Sequence, residues 1–158
     1  MKILGLDVAT KCGWCLMEDT KILESGVEDF SIKRGESPGM KFLRFRHWLD
    51  KLFHMTMPNV IFYEQAHYRG GAATECCVGL ITRVHEKAAE MGINYQGVHS
   101  STLKKFIMGH GKADKKEMMA AISQKFEIAL IDDNHADAIA ICLYAESEVG
   151  REEIKSVQ

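Results

Sequence analysis

The chain has 158 residues, within the roughly 100–200 of one domain, so a single domain spanning 1–158 is expected. With 46% hydrophobic and 27% charged residues the composition is ordinary for a globular protein and excludes a disordered chain, and no apolar run approaches the ~20 residues of a membrane span. The net charge of −2 is segregated: acids crowd Glu18 to Asp29 and Glu146 to Glu153, while bases gather at Lys33-Arg34, at Lys41, Arg44, Arg46 and Lys51, and most densely at Lys104-Lys105, Lys112 and Lys115-Lys116, which leaves DNA or RNA open as a partner.

Residues 2–8 read as a buried strand, 10–13 as a tight turn, and 14–18 and 21–29 as two further strands of an antiparallel meander. Gly35 and Pro38 break the pattern before a helix over 39–55, whose Phe45, Trp48, Leu49 and Leu52 follow helical spacing. Pro58-Asn59 ends it, and the apolar run 60–64 is a central strand. The loop His67-Tyr68-Arg69-Gly70-Gly71 leads into a second helix over 73–91, with Cys77, Leu80, Ile81, Val84 and Ala88 on one stripe and Gly92 at its C-terminal cap. A short strand over 93–98 precedes a helix capped by Ser100 or Ser101 and running to Met108. Asp114 caps a helix through Phe126, and Asn134 or Asp133 caps a last helix to about Glu148. The order βββαβαβααα predicts an α/β fold with a three-layer mixed sheet and helices on both faces.

Three apolar stretches each carry one acid: Asp7 in Ile3-Leu4-Gly5-Leu6-Asp7, Glu64 in Val60-Ile61-Phe62-Tyr63-Glu64, and Asp137 in Ala136 to Ile141. A carboxylate in an apolar setting costs several kcal/mol, roughly, unless it is paired or binds a metal. Adjacent placement of the first and fourth strands brings Asp7 to Glu64, and the last helix, apolar on nearly every side, adds Asp137. Oxygen-only ligands favour Mg²⁺ or Mn²⁺ over zinc, and a two-ion arrangement suits phosphodiester cleavage.

These residues, taken in order, resemble the RuvC-type Holliday junction resolvases of the RNase H-like (retroviral integrase) superfamily, and the phage-like members more than the longer bacterial ones. Asp7 with Gly13-Trp14, Glu64-Gln65, the segment from Lys104 through Gly109-x-Gly111-x-Ala113-Asp114-Lys115, and Asp137-Ala138-Ile139-Ala140-Ile141 carry the resemblance. It implies an RNase H-like fold with a five-stranded sheet and a crossover junction endodeoxyribonuclease that uses Mg²⁺ or Mn²⁺, two ions per active site, in DNA recombination or repair, acting as a homodimer on four-way junctions.

Val8-Ala9-Thr10 stands where the family often has Pro-Gly-Ser. The family also has an acid or histidine three residues before its last aspartate, and Asn134 stands there in this chain. Asp133, four residues before Asp137 on the same helical face, is the favoured fourth ligand, with Asn134 and His135 left open, His135 also as a water-activating base. The resemblance makes Lys104 and Lys115 phosphate contacts, with Lys105 and Lys112 enriching the same face. It gives Tyr68 the place of an aromatic wedge beside Arg69; a tyrosine of the core is the alternative. For the homodimer the resemblance implies, the second helix, with Cys76, Leu80 and Val84 beside exposed-looking positions, is the candidate interface.

Cys12, Cys15, Cys76, Cys77 and Cys142 form an odd set in a chain without a visible secretory signal, so reduced structural thiols and a cytoplasmic setting are expected, in a bacterium or a phage-infected cell. Cys12-Gly-Trp-Cys15 straddles a turn and not a helix N-terminus, against redox chemistry. Two other functions stay in view: an actin-like ATPase, for which the chain lacks a second lobe, and a DNA-structure-binding protein without catalysis, which would not need Asp7, Glu64 and Asp137 together.

Overall fold

The computed structural model describes residues 1–68 and 70–156. Three strands, β1 (Ile3–Asp7), β2 (Lys11–Glu18) and β3 (Lys21–Asp29), form the antiparallel meander. They are followed by α1 (Gly39–Thr56), β4 (Val60–Glu64), α2 (Gly71–Glu90), β5 (Asn94–Val98), α3 (Ser100–Met108), α4 (Lys115–Phe126) and α5 (Asp133–Ser156). The five-stranded sheet runs β3-β2-β1-β4-β5, with β4 parallel to both β1 and β5. The mixed sheet expected from the element order is therefore present.

Strand alternation divides the core into two layers. Ile3, Cys15, Met17 and Phe62 pack under α5 with Leu103 of α3 and Met118 and Ile122 of α4. Leu4, Leu6, Ile61 and Tyr63 face the other way, onto Phe45, Leu49 and Leu52 of α1 and Leu80 and Val84 of α2. Each fully buried aliphatic side chain contributes roughly 1.5–3 kcal/mol of transfer free energy, so helices on both faces are held by ordinary apolar burial. The same alternation separates Cys12 from Cys15: three residues apart in one strand, they lie in opposite layers, and both are free thiols.

Close approach of α5 to the sheet rests on two glycines. A Cβ at Gly5 would stand 2.6 Å from the Ala138 carbonyl oxygen, and one at Gly13 only 1.9 Å from that of Asn134. The backbone of α5 thus lies directly on β1 and β2, and Ala136, Ala138, Ile139, Ala140, Ile141, Cys142 and Ala145 are all buried.

Several helix ends differ from expectation. Asp114 does cap α4, in a reciprocal capping box with Glu117. The cap of α5, however, is Asp132, whose Oδ1 accepts the His135 N–H at 3.0 Å, so Asp133 and Asn134 already lie within the first turn. The helix also runs on to Ser156, past the expected end. His99 precedes α3 without a side-chain cap, and Ser100 and Ser101 are its first helical residues. The second helix begins at Gly71, two residues early. Leu80 and Val84 of its stripe are fully buried against the sheet and serve the core, and Cys76 packs partly against the same layer. No helix among the described residues is long and apolar enough to cross a membrane.

Candidate active site

Leu6 pairs with Tyr63 across β1 and β4, so Asp7 and Glu64 come next in register at the same end of neighbouring parallel strands. Both belong to the strand face that carries Ile3 and Phe62, the face toward α5. Asp137, one turn beyond Asp133 on α5, completes the set. All four acids line one cavity of ≈300 Å³, together with His67, Ser100, Lys104, Lys115 and Asn134. Residues from 7 to 137 in sequence are thereby brought to one end of the sheet.

The electrostatics match a crowded, partly desolvated carboxylate group. Burial, then the charges of Glu64, Asp137 and Asp133, push Asp7 well above the usual carboxylate range. Burial followed by Glu64 and Asp133 lifts Asp137 to about 7, and burial also raises Glu64. Asp133 goes the other way. It accepts a hydrogen bond from the Lys115 ammonium, which lowers its pKa and raises that of the lysine. The expected fourth ligand is therefore already engaged by a lysine expected to bind phosphate.

Three helices begin at the cavity, since Ser100, Lys115 and Asp133 are the first residues of α3, α4 and α5. Helix N-termini present free N–H groups and partial positive charge, which favours an anion such as phosphate. Ser100 and Lys104 share one face of α3 at i, i+4, and Leu103 buries the adjoining face. His67 follows Glu64 by three residues and brings Nε2 to 3.6 Å from Glu64 Oε1.

Other expected residues stand elsewhere. His135 is buried: its Nδ1 accepts the Ile131 N–H at 3.2 Å, which leaves Nε2 to donate to the Ser25 hydroxyl at 2.8 Å. It ties α5 to β3 and does not line the cavity. Asn134, by contrast, does line it. Lys105 and Lys112 are exposed but outside the cavity lining. Tyr68 is 84% exposed, which excludes the core alternative. Arg69 lies outside the described residues. Of the second basic group, Arg44 is held by Glu36 and Lys41 donates to the Thr10 hydroxyl at 3.0 Å.

A hard divalent cation suits this donor set in chemistry: acidic oxygens, partly buried and mutually repelling. The side chains do not stand as a finished cage, for among the described residues no group of three or more His, Cys, Asp or Glu is gathered closely enough to hold an ion.

The backbone matches solved structures closely. RuvC of Thermus thermophilus superposes with a TM-score of 0.76 at 21% identity, over 94% of this chain and 97% of that one. The fold is RuvC-like. The same protein in complex with Holliday junction substrate gives 0.76 over 89% and 90% of the two chains, again at 21% identity. The fowlpox virus resolvase in complex with substrate Holliday junction DNA gives 0.60 at 13% identity, over 92% and 99%. No family model and no curated protein matches the sequence. The RuvC-like, RNase H-like architecture is thus shared at low sequence identity.

Proposed function

We propose that this chain is a metal-dependent endonuclease, built on one nuclease domain, that hydrolyses phosphodiester bonds in Holliday junctions or other branched DNA. The observation that carries the reading is the composition of one cavity: Asp7, Glu64, Asp133 and Asp137 beside Lys104, Lys115 and the starts of three helices. Acids alone would suit any cation, and lysines with helix N-termini any anion. Their union suits a phosphodiester held next to a cation. The two RuvC-like proteins that bind Holliday junctions, from T. thermophilus and fowlpox virus, supply the substrate class.

Asp7, Glu64 and Asp137 would hold Mg²⁺ or Mn²⁺, two ions in the reading favoured for this fold, with Asp133 or Asn134 as the further ligand. Bound there, such ions supply neutralisation of the phosphate charge and activation of water for attack on phosphorus. The chain's own residues do the rest. Lys104 and Lys115 present ammonium groups to the non-bridging phosphate oxygens. Lys115, when it turns to phosphate, releases Asp133. The α3 N-terminus at Ser100 adds N–H donors, and the apolar layer under α5 fixes the Asp137 backbone. Tyr68, exposed on the loop after Glu64, is suited to stack on a base where the duplex is interrupted.

A homodimer would make paired nicks across the junction symmetrically. Light scattering at micromolar protein tests it, and a monomer there would leave a simple nuclease. The function itself is tested by Mg²⁺-dependent cleavage of a labelled four-way junction beside a linear duplex and an RNA–DNA hybrid, with Asp7→Asn as control. Cutting confined to the junction supports a resolvase, and cutting of flaps as well a broader debranching nuclease. Binding without metal-dependent cutting of any substrate would favour a structure-specific DNA-binding protein.

A further inference from the structure

Gln65 follows Glu64 directly, and strand alternation sends its side chain to the opposite face of the sheet, toward α2. Its N–H continues the pairing with β5 by donating to the Val98 carbonyl at 2.9 Å, so the chain is still extended there. On the α2 face Gln65 lines a second cavity, of ≈290 Å³, with Tyr63, Tyr68, Ile81, Thr82 and His85. The two cavities therefore open at the same end of β4, one on each side of the sheet, and consecutive residues face them.

The second cavity is built for a flat, neutral ring. Among the described residues no Asp, Glu, Lys or Arg lines it, which disfavours phosphate or a charged peptide. Its aromatic wall is fixed: His85 Nε2 lies 2.7 Å from the Tyr63 hydroxyl, and the imidazole stacks on Tyr95 at 4.4 Å with the planes 15° apart. Burial lowers the His85 pKa, which favours the neutral ring. Gly97 on β5 makes room for the polar element, since a Cβ there would stand 2.6 Å from Gln65 Cγ and 3.1 Å from Tyr63 Cζ. Gln65 offers a donor and an acceptor, Thr82 a hydroxyl oxygen able to accept while its proton goes to the Gly79 carbonyl at 2.8 Å, and Tyr68 a free aromatic face.

We propose that this cavity receives an unpaired nucleobase from the strand whose phosphate lies among Asp7, Glu64 and Asp137, stacked against Tyr68 and hydrogen-bonded by Gln65 and Thr82. The proposal rests on the nuclease reading and adds a base-binding subsite to it. A strand crossing the end of β4 would set its phosphate on the α5 side and drop the neighbouring base on the α2 side. Extrusion of a base is least costly where stacking is already broken, as at a branch point, so the subsite favours branched DNA over intact duplex.

The test is an abasic scan. Four-way junctions, each lacking one base within a few nucleotides of the cut, are assayed for binding and cleavage with the wild-type chain and with Thr82→Phe, which fills the cavity from a solvent-exposed position. The wild type should lose affinity or rate roughly 5- to 150-fold at one position, the range given by base–aromatic stacking, and Thr82→Phe should be weaker on the intact junction and indifferent to that base. If Thr82→Phe misfolds, Tyr68→Ala takes its place. A flat profile on a junction that is otherwise cut would overturn the subsite alone, as would a positional loss that both variants retain in full. A chain that neither binds nor cuts the intact junction would remove the nuclease reading, and the subsite with it.

Discussion

Gly13 of β2 lies so close beneath Asn134 of α5 that a methyl group in place of its hydrogen would come within 1.9 Å of the Asn134 carbonyl oxygen. The contact sets the height of the first turn of α5 above the sheet, and with it the approach of Asp133 and Asp137 to Asp7. Gly13→Ala should therefore lift that turn. We expect a loss of roughly 1–3 kcal/mol in urea unfolding, the usual range for overpacking, and a fall in cleavage on the order of 100-fold. Wild-type activity in a destabilised Gly13→Ala protein would show that the height of α5 does not govern the site.

Asp7→Asn and Glu64→Gln should each reduce cleavage by at least about 1,000-fold while junction affinity stays within a few-fold, because on the proposed reading the acids serve the chemical step and the lysines serve docking. Gel-shift and single-turnover assays on the same preparations separate the two effects. Comparable cutting by either variant would refute the site.

The chelated protein should be less stable at neutral than at mildly acid pH. Asp137 titrates near 7 in the fold against an ordinary 3.8, and Asp7 is shifted the same way, so each folded pKa exceeds its unfolded one. The stability such groups contribute is complete below about 4 and lost as pH rises through about 7. Asp133, lowered by Lys115, has the opposite sign, but its contribution is lost only below 3.8 and does not enter this window. Thermal melts at pH 5.5 and 8 in EDTA should differ, and Mg²⁺ should raise the melting temperature more at the higher pH, where the carboxylates are ionised. Equal melting temperatures in EDTA would contradict the crowding.

Lys115→Ala should lower the slope of log affinity against log salt by about 0.9, the loss of one phosphate contact. It also frees Asp133 from its ion pair. Reduced affinity with an unchanged slope would mean that Lys115 acts only through Asp133.

Much of this arrangement is legible in the sequence. Acids at the ends of apolar strands mark Asp7 and Glu64 because burial makes an unpaired carboxylate costly, and the unbroken apolar surround of Asp137 marks the third. Alternation and helical spacing give the element order, with β4 matching its expected bounds. The role of His135 stays open in the sequence for a physical reason: position in a helix gives a side chain's direction only once the cap is known, and the cap is Asp132. The α2 stripe raised a similar ambiguity, since one apolar face serves a core or a partner equally well until the sheet is seen to cover it. The convergence of three helix starts at Ser100, Lys115 and Asp133 depends on tertiary packing that no local pattern encodes.

The distance in sequence between Asp7 and Asp137 also bears on when the protein can act. During synthesis β1 emerges early, but the cavity stays open until α5, the last element described, has left the ribosome and settled on Gly5 and Gly13. Such long-range closure is slow compared with local helix formation. A partly made chain would carry the basic segment of α3 and α4 before it carried a complete set of acids, so it could touch DNA before it could break it.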